Sequence, residues 1–185
     1  MDLGLSGKTA VVAGGSRGCG RGISEVLAAE GAAVVFSGHQ RGPVTATETA
    51  LLAAGGKTVR VVADMTTREG ALAMKVPHLE DPMSAVNIRV AVNAVIKTLA
   101  QEYGPFGIAA NVIATGPFDS ELSRDYRASD PGVKTEKWYR AMLPAGRWGN
   151  PVEMGWLAAF LCSERAAFLT GETIRLDGGY GKSLF

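Results

Sequence analysis

Three glycines, spaced Gly14-x-x-x-Gly18-x-Gly20, follow the apolar run KTAVVA (8–13) and precede ISEVLAAEG (23–31). A buried strand, a glycine-rich turn and a helix in that order make an anion site. Backbone N–H groups and the positive end of the helix dipole face the ligand, and glycines let a pyrophosphate come close. The spacing is not the familiar G-x-G-x-x-G, so the position after a first buried strand carries much of the inference. Arg17 places a cation inside the turn. The second apolar run ends in FSGHQRG, which holds His39 and Arg41 and no acid. Dinucleotide sites use an acid there for the ribose of NAD, and a basic group for the 2′-phosphate of NADP. The pattern favours NADP over NAD. The plain alternative is that Arg17 and Arg41 are solvated surface charges.

Other chemistries find little support. The two histidines, His39 and His78, and the two cysteines, Cys19 and Cys162, show no CxxC or HExxH spacing, so no metal site is expected. Two cysteines are too few for a disulfide framework and read as reduced cytosolic thiols. A net charge of +1 leaves no electrostatic footprint for nucleic acid. Apolar runs are short and interrupted, so no membrane span is expected. The start MDLGLSGKTAVV lacks a basic leader segment, which with the thiols points to the cytoplasm.

These groups need an α/β scaffold to hold them. The length of 185 residues, with 46% apolar and 20% charged, suits a single domain over 1–185. KTAVVA, AAVVFSG (32–38) and KTVRVVAD (57–64) are near-continuous apolar runs, as strands buried on both faces require. Helices are predicted over 23–31 and 45–56 between them. Asp81-Pro82 resembles a helix start, and apolar positions from Ile88 through Val92, Ile96 and Leu99 to Tyr103 keep helical spacing until Gly104. GIAANVIAT (107–115) is predicted as a strand, 117–149 as loop with one or two short helices, NPVEMGWLAAFLCSE (150–164) as a helix capped by Asn150, and GETIRLDGGYG (171–181) as a last strand. The result is a Rossmann-like, doubly wound parallel sheet of about five strands. Its expected order is 3-2-1-4-5, with GIAANVIAT pairing directly with TAVVA so that neither is left an open edge.

AGGSRGCGRGI, VVADMT, NVIATGPFDSEL and GRWGNPVEMGWLAAFLCSERAAFLTGETIRLDGG together resemble the short-chain dehydrogenase/reductase family, over residues 1–70 and 83–185. The resemblance implies that Gly14, Ser16, Arg17, Gly18, Gly20 and Asp64 hold NADP or NAD, Asp64 at the adenine. It also implies a Tyr-x-x-x-Lys pair on the helix at 82–103. Here Ala85 stands at the tyrosine position and Arg89 at the lysine position. None of the tyrosines, at 103, 126, 139 and 180, has a lysine four residues later. The segment between ADMT and that helix is too short for the two strands and helix that the family carries there with its serine. No catalytic residue can be named, and cofactor binding is expected to be weakened or lost.

The expected function is therefore a non-catalytic subunit. It would pair, as dimer or tetramer, with a full-length, active NAD(P)-dependent hydroxyacyl-CoA or alcohol dehydrogenase or ketoreductase. Two alternatives stand beside it. One is an active oxidoreductase interconverting a carbonyl and an alcohol with displaced groups, and the other a regulatory protein that binds NADP(H).

Overall fold

The computed structural model describes residues 2–64, 89–129 and 141–181. The elements run β1 (Thr9–Val12), α1 (Gly18–Ala29), β2 (Ala33–Gly38), α2 (Arg41–Ala53), β3 (Lys57–Val62), α3 (Arg89–Tyr103), β4 (Val112–Thr115), α4 (Glu121–Ser129), α5 (Pro151–Leu161) and β5 (Thr173–Leu176). This is the α/β, Rossmann-like arrangement with parallel strands that the apolar runs predict.

β2 lies between β1 and β3, both parallel to it, with Val12 opposite Phe36 and Phe36 opposite Arg60. The core forms where α1, α2 and α5 cover one face of this sheet: Val12, Val26, Leu27, Val34, Phe36, Val44, Leu51 and Ala159 are buried together. Each large member contributes roughly 1.5–3 kcal/mol by leaving water. The opposite face keeps Val11 and Val59 in register through Val35, and they are 45% and 59% exposed.

The join between the halves differs from the expected order. β4 pairs with β5, and β1 pairs only with β2, so the described residues form two parallel sheets, 3-2-1 and 4-5, rather than one. The reason lies in the helices. α5, which leads into β5, rests on α1, and a Cβ on Gly22 would lie 2.2 Å from Pro151 O. α5 is held by its close contact with α1, and β5, with β4 paired to it, follows α5 rather than the edge of β1.

Helix starts also shift. α1 begins at Gly18 and α2 at Arg41, ahead of the predicted 23 and 45. β4 is shorter than predicted because Asn111 interrupts it: its side chain donates to Leu169 O (2.7 Å) and accepts from Glu172 N–H (3.1 Å). Ile96 and Leu99 on α3 are half-buried and Val95 is 37% exposed. Ala85, Ile88, His78 and the predicted cap Asp81-Pro82 lie outside the described residues, as do the side chains of Arg89 and Val92.

The start of α5 matches its predicted cap. Asn150 Oδ1 accepts from Val152 N–H (3.0 Å) and Glu153 Oε2 accepts from Asn150 N–H (2.7 Å). Hydrogen bonds from Arg147, and then from Asn150 N–H, hold the Glu153 carboxyl down to about 2. The depressed value means that its stabilisation is present above the ordinary carboxylate range and disappears as pH falls through about 2. Arg147 is half-exposed and the ion pair is screened, so the loss in Glu153→Ala is expected to be that of a helix cap, about 1 kcal/mol. Thermal unfolding checks this: the gap between wild type and variant should be full at pH 6 and close toward pH 2.

Candidate nucleotide-binding site

The carboxyl ends of β1, β2 and β3 meet at one place, and the glycine turn closes over it. Gly14 has φ 73° and Gly18 φ 52°, the left-handed region that a side chain disfavours. At Gly20 the constraint is space, since a Cβ there would sit 2.2 Å from Gly14 O. The turn is braced from below by buried hydroxyls. Ser24 Oγ donates to Gly15 O (3.2 Å) and Gly20 O (3.1 Å). Gly14 N–H donates to Ser37 Oγ at the end of β2 (3.2 Å), and Thr47 Oγ1 on α2 donates to Ser16 O (2.9 Å). Ser24, Ser37 and Thr47 are fully buried. Satisfied polar groups in a dry setting make a rigid scaffold, and this one ties the turn to both β2 and α2.

All six residues proposed from sequence gather here. Gly14, Ser16, Arg17, Gly18 and Gly20 form the turn and the first turn of α1. Asp64 lies just past β3, beside the end of β2, because Ala63 N–H donates to Gly38 O (3.0 Å). Arg17 is the N-cap residue of α1, with an exposed side chain, and no acid stands in that helix's first turn. Arg41 is the first residue of α2, so it faces the same end of the sheet rather than lying in a loop. Cys19 is half-buried and its thiol is pushed up by burial, which keeps it neutral beside the turn.

Sequence reading missed Ser24, Ser37, Thr47 and Gly38. The available signal was three small hydroxyl residues at positions where strand or helix periodicity calls for an apolar side chain.

The second sheet supplies a facing wall. The loop after β4 reaches the turn, and a Cβ on Gly18 would lie 3.3 Å from Ser120 Cβ. Asp177, after β5, accepts from Gly181 N–H and Gly179 N–H (both 2.9 Å), and these bonds hold its carboxyl below the usual range. Gly116 admits this loop, since a Cβ there would meet Asp177 Cα at 2.4 Å. Among the described residues, no group of three or more His, Cys, Asp or Glu could hold a metal, and no helix is long and apolar enough to cross a membrane.

Comparison with known proteins agrees with this geometry. The family described as "short chain dehydrogenase" matches residues 8–88, and that described as "Enoyl-(Acyl carrier protein) reductase" matches residues 69–181. An A-factor type γ-butyrolactone 1′-reductase of Streptomyces virginiae is 44% identical over 90 residues, which are 49% of this chain and 34% of that protein. The chain thus spans about a third of that relative's length. Glucose 1-dehydrogenase 2 of Bacillus subtilis is 28% identical over 250 positions, covering 95% of each chain. That alignment is longer than the 185 residues present here, so the relative carries stretches with no counterpart in this chain. Among solved structures, a 3-oxoacyl (acyl-carrier-protein) reductase of Agrobacterium tumefaciens with NADP bound superposes with a TM-score of 0.79 at 26% identity, covering 97% of this chain and 96% of that one. With this fold, this turn and these matches, the chain belongs to the short-chain dehydrogenase/reductase family.

Proposed function

We propose that this chain is a non-catalytic family subunit that holds the adenosine end of NADP, or less well NAD, beside a full-length, active dehydrogenase or ketoreductase. The observation that carries the reading is a contrast. The glycine turn is complete and braced by buried hydroxyls, yet no tyrosine in the chain is followed four residues later by lysine. Gly14, Gly18 and Gly20 would pass the pyrophosphate along the α1 N-terminus, Ser16 and Arg17 would meet the ribose side, and Asp64 the adenine. A bound nicotinamide supplies hydride chemistry. Reducing a carbonyl also needs a proton donor within hydrogen-bond reach, and Ala85 cannot be one.

Assembly has support in exposed apolar surface. Trp156 and Phe168 are 61% and 103% exposed, and Phe160 lies with Phe168 on one surface recess. Contiguous aromatic exposure of this kind marks contact surfaces. The partner's substrate class, hydroxyacyl-CoA or another alcohol, is carried over from the family resemblance, and the relatives' names support only reductase or dehydrogenase chemistry in general.

The test is purification alone and after co-expression with a full-length relative. The expected result is no ketone or alcohol turnover by the isolated chain, and co-elution with the active relative. Turnover by the isolated chain overturns the proposal. A monodisperse monomer that ignores the relative removes its partner half.

A further inference from the structure

We infer that the open edges of β1 and β4 together take up an extended, uncharged segment of another protein by strand addition. No residue of the glycine turn supplies this, so it stands apart from the nucleotide reading. Among the described residues β1 is bonded only to β2, and β4 only to β5. Successive residues of a strand direct their N–H and C=O groups to alternate sides. Lys8 O accepts from Ala33 N–H (2.8 Å), which turns Ala10 and Val12 toward β2 and leaves Thr9 and Val11 on the open side. Val112 and Gly116 N–H donate to Glu172 O (2.8 Å) and Leu176 O (3.0 Å). Ile113 and Thr115 are thereby left on the open side of β4.

The composition of these edges is that of strands inside a sheet. The outer strands carry cations, Lys57 and Arg60 on β3 and Arg175 on β5. Charge on an edge is a common guard against further pairing. β1 reads TAVV and β4 reads VIAT, with no charge and no proline. Burial agrees. Parallel strands are ordinarily covered on both faces, yet no residue of β4 or β5 is buried, and on β1 only Val12 is.

The ends of the two sheets select the occupant. On the amino side Arg165 Nε donates to Asp2 O (2.8 Å), and Lys8 Nζ lies 3.8 Å from Glu164 Oε1. On the carboxyl side a Cβ on Gly18 would lie 3.3 Å from Ser120 Cβ, in the loop that follows β4. β1 and β4 therefore run side by side with their ends drawn together, and the whole sheet of a second copy does not enter between them. A single extended segment does. Its side chains must be uncharged, because the strands on either side offer no partner for a charge taken out of water. β-branched residues suit the pleat. The occupant is thus an extended run of Val, Ile and Thr from a partner protein.

Amide exchange of the intact chain, followed by NMR with and without the synthetic peptide KKTVIVTKK, tests this. Exchange at Thr9, Val11, Ile113 and Thr115 is expected to slow at least about tenfold, and far less at Ala10 and Val12, whose bonds to β2 already exist. The peptide KKTPIPTKK, whose prolines remove donors, is expected to change nothing. Val11→Lys should weaken binding of KKTVIVTKK at least about tenfold, whereas Val59→Lys, on the same sheet face, should leave it unchanged. Both side chains are largely exposed, at 45% and 59%, so neither change disturbs the core. Equal effects of the two variants, equal action of the two peptides, or no slowing at Thr9 and Val11 overturns the inference. Slowing confined to the surroundings of Trp156 and Phe168 overturns it too, since the peptide then only coats exposed aromatics. Slowing at Thr9 and Val11 when the chain alone is concentrated assigns the edge to a second copy and overturns the stated occupant.

Discussion

Gly22→Ala is expected to lower the thermal midpoint by about 6–12 °C, far more than the same methyl added at a glycine facing open space. A Cβ at Gly22 would lie 2.2 Å from Pro151 O and 2.4 Å from Pro151 C, both backbone atoms. The contact is mutual, since a Cβ on Gly155 would lie 2.4 Å from Gly22 O. No side chain can rotate away, so α1 and α5 must separate along their length. Overpacking of a tight contact costs about 1–3 kcal/mol and more where backbone must move, and at this chain length each kcal/mol shifts the midpoint by roughly 2–4 °C. Gly42→Ala is the matched control. It adds the same methyl to α2 where nothing lies within 4 Å, and it should change the midpoint by less than about 2 °C. Equal midpoints for the two variants, measured by calorimetry, would show that the interhelical contact has slack the geometry denies.

Gly20→Ala is expected to weaken binding of NADPH by about a hundredfold. The added Cβ would fall 2.2 Å from Gly14 O and 2.9 Å from Gly14 C. The carbonyl must swing out, which strains the Gly14 N–H bond to Ser37 Oγ and the Ser24 bond to Gly20 O. A phosphate then loses two or so backbone donors, each worth roughly 1.5–3 kcal/mol to a charged group. The titration is run well below the variant's own midpoint, so that unfolding does not imitate lost affinity. Binding within threefold of wild type would falsify the placement of the phosphates on this turn.

The strands were legible because each is a near-unbroken apolar run, as AVVF and VIAT are, although the expected burial on both faces is not met where Val11 and Val59 stay exposed. The Asn150-Pro151 start of α5 was equally plain, since a cap followed by a residue without an N–H has few other uses. The helix starts were not. Gly18, Gly20 and Gly22 read as breakers along the chain, and only the backbone of Gly14 and Pro151 pressing on two of them explains their place inside α1. The scaffold of the site was hidden for a related reason. Thr47 and Ser16 are 31 positions apart, and their pairing depends on where α2 crosses the turn. The junction of the two sheets depends likewise on a contact between α1 and α5 that no periodicity encodes. The glycines and Arg17 were visible because their chemistry is local.

The separation of the described residues into two sheets has a consequence for how the protein opens in solution. β1, β2 and β3 with α1 and α2 are contiguous in sequence, whereas β4 and β5 form a pair that is marginal without support. That pair is anchored through α5 on α1, and Lys97 Nζ clips α3 to it at Gly171 O and Glu172 Oε1 (both 3.0 Å). Such a body detaches as one cooperative unit at less free energy than whole-chain unfolding. Amide protons of Ile113, Ala114, Ile174 and Arg175 then exchange with deuterium sooner than those of Val34 and Phe36. The amino-terminal three strands outlast their neighbours, and proteolytic cuts fall first on the carboxyl-terminal side.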